Sequence, residues 1–328
     1  MTARQSLRLL LGVGLAVFFV WLILRQIDVG QVRLAFSSAN MGWIAAALGA
    51  FAVGYACRIE RWRVMLAIDS PGLRWRQCAG PLLGSFAANN VLPFRAGDVL
   101  RSFAFNRRLG TTSGAVVATL FVERLLDLLM VLVLLGAALI GFGIDTSRIA
   151  GVGSAMLVAV AAAILVVLLF PRFFAPLALA AGRLLARMAP GIGAKVLAGI
   201  EKSLQTLQHL SRGNTMFKLV AWSLVAWVAE GCLFWCAALA LPSLAAPAAA
   251  WLALPVATLA TLIPSTPGYV GTFDYFTVRA MAELGNVSAA AAAYALLAHV
   301  VLWLPPTLSG GIYLLLNPVG QREKLKAI

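Results

Sequence analysis

Apolar residues in this chain gather into long stretches and do not alternate. Six of them, at approximately 7–25, 41–57, 114–140, 150–170, 216–240 and 287–316, reach or approach the length that carries a helix through about 30 Å of hydrocarbon. Two further apolar segments, 78–105 and 249–284, are broken by prolines, glycines and polar residues. A backbone in lipid must satisfy its own hydrogen bonds, so the unbroken stretches predict spanning helices. The broken ones predict re-entrant hairpins, tolerated where protein or a watery cavity covers them. The expected fold is an all-α polytopic membrane protein, with 1–328 forming a single transmembrane domain.

Composition agrees with that pattern. Of 328 residues, 62% are hydrophobic and 12% charged, about half the charged share of a soluble protein. A soluble fold could not hide so much apolar surface. The net charge of +14 raises nucleic acid as a partner, but no basic module with base-reading or stacking residues accompanies it. Cys57, Cys78, Cys232 and Cys236 have no zinc spacing and imply no disulfide framework. His209 and His299 are too few for a histidine metal site. No metal and no cofactor is expected. Arg4 and Arg8 before Leu9–Leu24 resemble a signal peptide, but Arg25-Gln26 follows where small residues would mark cleavage, so a retained first span is expected.

Positive charge orients the spans. Arg58, Arg61, Arg63, Arg74 and Arg76 follow the second span, with Arg95, Arg101, Arg107 and Arg108 close behind. Seven more basic residues, from Arg172 to Lys218, fill or border the connection 171–215, and Arg322, Lys324 and Lys326 lie in the tail. Loops 141–149 and 241–248 share one arginine, Arg148. Cytoplasmic basic loops put both termini inside and require each broken segment to enter and leave on one side. Within the connection, Leu197, Ile200, Leu204 and Leu207 recur at helical spacing, with Lys195, Lys202 and Gln205 elsewhere on the wheel. That stripe fits a helix on the cytoplasmic interface or, better, a packing elbow. Ala46, Ala50 and Gly54 form a small-residue face for close helix packing.

The broken segments resemble one another. Leu92-Pro93-Phe94-Arg95-Ala96-Gly97-Asp98-Val99 matches Ile263-Pro264-Ser265-Thr266-Pro267-Gly268-Tyr269-Val270 at its proline, glycine and valine. The halves 41–140 and 216–316 thus read as an inverted repeat. Paired interruptions of this kind point to a transporter's binding site, because helix ends inside the membrane leave polar groups free.

Ionisable residues also stand inside the apolar stretches. Glu123, Arg124 and Asp127 lie in the third span, Glu230 in the fifth beside Trp227 and Trp235, Asp274 after the second hairpin, and His299 in the last span. Each charge costs about 2.5–3.5 kcal/mol at a helix centre and so needs a partner. Glu123 and Asp127 share a face, while Arg124 points about 100° away. These groups fit either a polar pathway or ion pairs that lock helices; His299 reads as a packed, hydrogen-bonded histidine. In the first hairpin Asn89, Asn90, Arg95, Asp98 and Arg101 concentrate polarity, and arginine matches phosphate with a planar fork.

Three motifs in this order, Asn90-x-x-Pro93-x-Arg95-x-Gly97-Asp98-x-x-Arg101, Glu123-Arg124-x-x-Asp127 and Pro264-x-x-Pro267-Gly268-x-x-Gly271-x-x-Asp274, resemble the lysylphosphatidylglycerol synthase transmembrane-domain family, the flippase-like domain of the multiple peptide resistance factor. The resemblance covers nearly the whole chain. It implies a bacterial inner-membrane protein that moves a lipid headgroup between leaflets through a site built by both hairpins. The family often has Glu where Asp274 stands and glycine where Tyr269 stands. The synthase domain is absent from this sequence, so its activity is not implied, and stand-alone members are associated with hopanoid, polyisoprenoid or glycolipid pathways.

The expected function is flippase-like transport of a phospholipid, hopanoid or isoprenoid-linked lipid, without enzymatic chemistry. Asn89, Asn90, Arg95, Asp98, Arg101, Ser265, Thr266 and Gly268 are expected at the headgroup; Glu123, Arg124, Asp127, Glu230 and Asp274 form a gate or charge network. Membrane lipids are the expected partners, with lipid-synthesis enzymes as a second class. The alternative is a non-transporting scaffold for such enzymes. A lipid-phosphate enzyme is a third reading, which lacks a nucleophile or metal constellation.

Overall fold

The computed structural model describes residues 37–92, 95–144, 154–263 and 267–317. The expected first span, loop 145–149, the basic tail, Pro93, Pro264, Ser265 and Thr266 lie outside the described residues. Every regular element described is helical. Four helices are long and apolar enough to cross a membrane: α1 (Met41–Leu66), α5 (Ser113–Gly141), α9 (Thr215–Leu239) and α12 (Ser288–Leu316). A fifth candidate is bent by 95°, where α6 (Ser154–Leu169) meets α7 (Pro171–Met188) at Pro171. The chain is an all-α polytopic membrane protein.

Local chemistry fixes several boundaries. Asn40 caps α1, its side-chain oxygen accepting from Gly42 N at 2.9 Å, and Thr112 caps α5 through Ala115 N at 3.2 Å, each satisfying a donor the helix leaves free. α1 continues nine residues past the expected end at 57. Arg58 and Arg61 end the apolar stretch without ending the helix, because arginine forms helix well and both side chains find buried or partly buried carboxylates.

Each broken segment is a helix, a break and a returning helix packed on the first. In the first, α2 (Trp75–Val91) is followed by α3 (Ala96–Ala104) and the single turn α4 (Asn106–Leu109). In the second, a 3-10 turn (Pro247–Ala249) leads into α10 (Ala250–Ala260); a further 3-10 turn (Pro267–Tyr269) then precedes α11 (Thr272–Glu283). In the first hairpin the arms approach so closely that a Cβ on Gly97 would lie 1.9 Å from the Ser85 carbonyl oxygen. Only glycine fits there.

Elements of the two halves follow in the same order, with corresponding helices starting about 175 residues apart. They are also cross-packed. α1 packs along α9, α2 of the first half packs on α12 of the second, and α10 of the second packs on α5 of the first. The α1–α9 pair is antiparallel: Asn40 N donates to Ala240 O at 2.8 Å, and further along Arg61 Nη1 donates to Ser223 Oγ at 2.9 Å. Gly54 lies against Ala226 and Ala229 of α9, whereas Ala46 is exposed. The small-residue face therefore works at its deeper end.

Helix starts also correct the register read from letters alone. Arg95 is the N-cap of α3 with Asp98 in its first turn, and Gly271 is the N-cap of α11 with Asp274 in its first turn. Asp98 thus corresponds to Asp274, not to Tyr269. Proline and glycine punctuate loops of different length, so matching them displaced the helices behind.

The connection folds as two helices, α7 and α8 (Pro190–Leu210), packed together, with α8 also on α5. The predicted stripe on α8 faces protein: Leu197 and Ile200 pack at Gly182 of α7, and Leu207 is buried. The exposed apolar face belongs to α7, where Phe173, Leu177, Leu184 and Met188 are 58–78% exposed beside exposed Arg172, Arg183 and Arg187.

Candidate functional site

Charged side chains of α1, α3, α5 and α9 meet between these helices. On α5, Glu123 is buried and accepts from Arg101 Nη2 of α3 at 2.9 Å, with Arg61 Nη2 of α1 at 3.7 Å from its other oxygen. Asp127, one turn on, accepts from Arg61 Nη1 at 2.8 Å and from the Trp227 indole at 3.2 Å. Arg124, on its own face as the helix wheel requires, reaches Asp98 at 2.7 Å. Glu230 of α9 is bonded to Arg58 of α1, whose guanidinium lies over the Trp227 ring at 5.4 Å. Arg101 lies over the Trp62 ring at 4.9 Å, and that indole donates to Thr119 at 3.2 Å.

This arrangement answers the solvation problem set by the sequence. Removing an ion from water costs several kcal/mol even after relaxation, and here carboxylates and guanidiniums are buried together. Arg58 and Arg61, grouped above with the orienting loop charges, are among the partners. Arg61 and Arg101 are 0% and 1% exposed. Sequence reasoning missed Arg58 and Arg61 as site residues because hydropathy ends a span at a charge. The available signal was the unpaired acid on the other side, since Glu123, Asp127 and Glu230 each required a cation from somewhere.

The expected headgroup residues separate into two groups. Arg101, expected at the headgroup, is instead enclosed, 1% exposed, with its Nη2 on Glu123. Asp98 is held by Arg124 and by Asn89, whose amide donates to Asp98 Oδ1 at 3.0 Å while its oxygen takes the Asp98 N–H at 3.2 Å. Asn90 is tied to α12, donating to Thr307 Oγ1 at 2.8 Å and to Trp303 O at 3.3 Å, next to Pro305 and Pro306. Ser265 and Thr266 fall outside the described residues.

Arg95 is different. It sits at the tip of the first hairpin, partly exposed, and its Nε–H donates to the hydroxyl of Tyr269 at the tip of the second hairpin, 3.1 Å away. Among the described residues no carboxylate pairs with it. Arg95 (φ 51°) and Tyr269 (φ 60°) are also the positive-φ residues other than glycine among those described. Such backbone costs on the order of 1–3 kcal/mol and persists where surrounding structure enforces it. Both strained residues thus stand where the hairpin tips touch.

The second tip is anchored from behind. Gly268, at φ 68°, has no room for a Cβ, which would lie 2.6 Å from Trp303 Nε1. Its carbonyl oxygen is 3.0 Å from His299 Nε2, and His299 Nδ1 is 2.7 Å from Asp274 Oδ1. The other Asp274 oxygen accepts the Gly271 N–H at 2.8 Å.

No group of three or more His, Cys, Asp or Glu side chains able to hold a metal occurs among the described residues. A cavity of about 680 Å³ opens between α5 and α6, lined by apolar side chains such as Leu129, Val133, Leu157 and Leu165. None of the charged residues above lines it.

These features define a class: a multi-pass α-helical membrane protein whose two broken segments meet at a charged centre. The chain belongs to the family described as the lysylphosphatidylglycerol synthase TM region, which matches residues 9–310, and is accordingly a lipid-related membrane protein. It is also similar to a protein named glycosyltransferase AglD of Haloferax volcanii, 29% identical over 323 residues, covering 88% of this chain and 51% of that protein. The chain spans about half the length of this curated relative.

Proposed function

We propose that this protein moves an anionic amphiphilic lipid between leaflets, the headgroup passing between the hairpins while the tails stay in the bilayer. The observation that carries this reading is Arg95. Asp98, Glu123, Asp127 and Glu230 each have an arginine at hand and Asp274 has a histidine, and among the described residues Arg95 is the guanidinium of this centre with no carboxylate. It uses its Nε–H on Tyr269, and arginine carries five N–H donors in a fork that matches phosphate. A headgroup phosphate supplies the missing charge. The balanced ion pairs are then a rigid frame for the hairpins, not the ligand site itself.

The antiparallel α1–α9 pair and the cross-packed hairpins support an inverted repeat, with the basic loops and both termini on the cytoplasmic side of a bacterial inner membrane. The exposed apolar face of α7, flanked by arginines and turned 95° from α6, supports an interfacial position at that surface. Lipid-synthesis enzymes are natural neighbours, and a scaffold for them is the alternative function. Glycosyl transfer, named for the longer relative, is not carried over to a chain half its length.

Reconstitution decides among these. The purified chain is placed in vesicles with headgroup-labelled phosphatidylglycerol, and both leaflet position and chemical identity of the label are followed. Transport predicts movement of unchanged lipid that Arg95→Ala abolishes and Arg95→Lys restores in part. No movement favours the scaffold, and a new covalent product favours an enzyme.

A further inference from the structure

The two halves place a charged pair at the same station. In the first half, the first-turn carboxylate of the returning helix, Asp98, bonds Arg124, eleven residues into the helix that begins at Ser113. In the second half the matching carboxylate, Asp274, bonds His299, eleven residues into the helix that begins at Ser288. Arginine keeps its charge at every relevant pH. Histidine is the side chain that changes charge near neutrality. The second half thus carries a titratable group where the first carries a permanent cation.

The hydrogen bonds of that group fix how many protons it holds. Both ring nitrogens of His299 face oxygens, Asp274 Oδ1 at 2.7 Å and Gly268 O at 3.0 Å. A carbonyl oxygen only accepts, so Nε2 must carry a proton to bond it. The contact at Nδ1 needs a second proton, on the ring or on the carboxyl. The pair therefore closes both bonds only when it holds two protons. Removing one while Asp274 is ionised leaves a single N–H for two acceptors. Either the carboxylate or the Gly268 carbonyl then faces a bare lone pair, and the carboxylate makes the stronger, charge-assisted bond. The bond to the hairpin tip is the one that breaks.

We propose that Asp274 and His299 form a proton-binding site whose occupancy locks the tip of the second hairpin. The site rests on the transport reading for its role, with a proton as its ligand and the hairpin contact as its output. In the locked state Gly268 is held to α12, Trp303 Nε1 lies 3.4 Å from Asn90 O, and Tyr269 meets Arg95. Release frees Tyr269 and with it the Arg95 fork. The neighbouring elements add few competing charges. α11 also bears Arg279 and Glu283, both exposed. α9 and α1 contribute Glu230 and Arg58, bonded to each other, with Tyr55 beside Arg58. α2 presents Asn90, and the Phe273 ring stands edge-on at 5.1 Å.

Two measurements on the full chain test this. The chain has two histidines, so ¹⁵N-histidine labelling with His209→Gln leaves one ring to follow by NMR between about pH 5 and pH 8. The expected result is two protons on the Asp274–His299 pair at the acid end and loss of one within the range, with the transition displaced in Asp274→Asn. A pair that holds one proton throughout overturns the site. In vesicles of phosphatidylethanolamine and phosphatidylglycerol, movement of headgroup-labelled phosphatidylglycerol should accelerate with rising pH, by no more than about tenfold per unit for one proton. His299→Arg should be slow and pH-independent, and His299→Gln, should the arginine fail to fold, equally flat. Wild-type movement as flat as these variants overturns the lock. A chain that moves no lipid at any pH overturns the transport reading, and the NMR titration then still decides the proton site.

Discussion

Arg95 combines strain with a charge that no carboxylate among the described residues meets, and the two have opposite consequences for stability and activity. Glycine enters the left-handed region freely, so Arg95→Gly should leave thermal stability unchanged or raise it by about 0.5–1 kcal/mol while abolishing lipid movement. Loss of both would make the residue structural. Arg101 should behave in the reverse sense. Arg101→Ala leaves Glu123 with only the 3.7 Å approach of Arg61, and removing one partner of a buried ion pair costs about 3–5 kcal/mol. A collapse in folded yield is expected, and a well-folded, inactive Arg101→Ala protein would return this residue to the headgroup site.

Among the helical elements, the first hairpin depends on contact between backbones. Gly97→Ala drives a methyl into the Ser85 carbonyl, a clash that only separation of α3 from α2 relieves, at about 1–3 kcal/mol. The melting temperature should fall and transport with it, since Arg95 caps the displaced helix. Gly136→Ala on α5, where a Cβ meets nothing within 4 Å, should be neutral or stabilising by up to about 1 kcal/mol. Equal effects at the two sites would contradict the close packing. α8 teaches a related point. Its apolar stripe was legible as a stripe, but a stripe does not reveal whether lipid or protein covers it, and here α7 and α5 do.

For the whole molecule, the antiparallel pairing of α1 and α9 sends the turn after α1 and the turn after α9 to opposite sides of the bundle. In a cysteine-free background, Gly72→Cys and Ser243→Cys should therefore react with an impermeant thiol reagent from opposite faces of the membrane. Gly72 is expected on the cytoplasmic side, and labelling of both from one side would break the inverted arrangement.

By itself the sequence determined the solvent, because so apolar a composition folds stably only in lipid. It marked the apolar spans, because a spanning backbone must satisfy itself, and the broken segments by their prolines and glycines, though not the end of α1, which Arg58 and Arg61 continue. Its motifs identified the family. The tertiary structure decided which charge meets which. Glu123, Asp127 and Glu230 announced a need for cations, but their partners Arg101, Arg61 and Arg58 come from other helices, up to 172 residues away in the chain. It also decided that Arg95 reaches Tyr269 across 174 residues, and that Asp98 corresponds to Asp274. Hydropathy and spacing are local quantities, whereas ion pairing and tip-to-tip contact depend on how the two halves cross-pack.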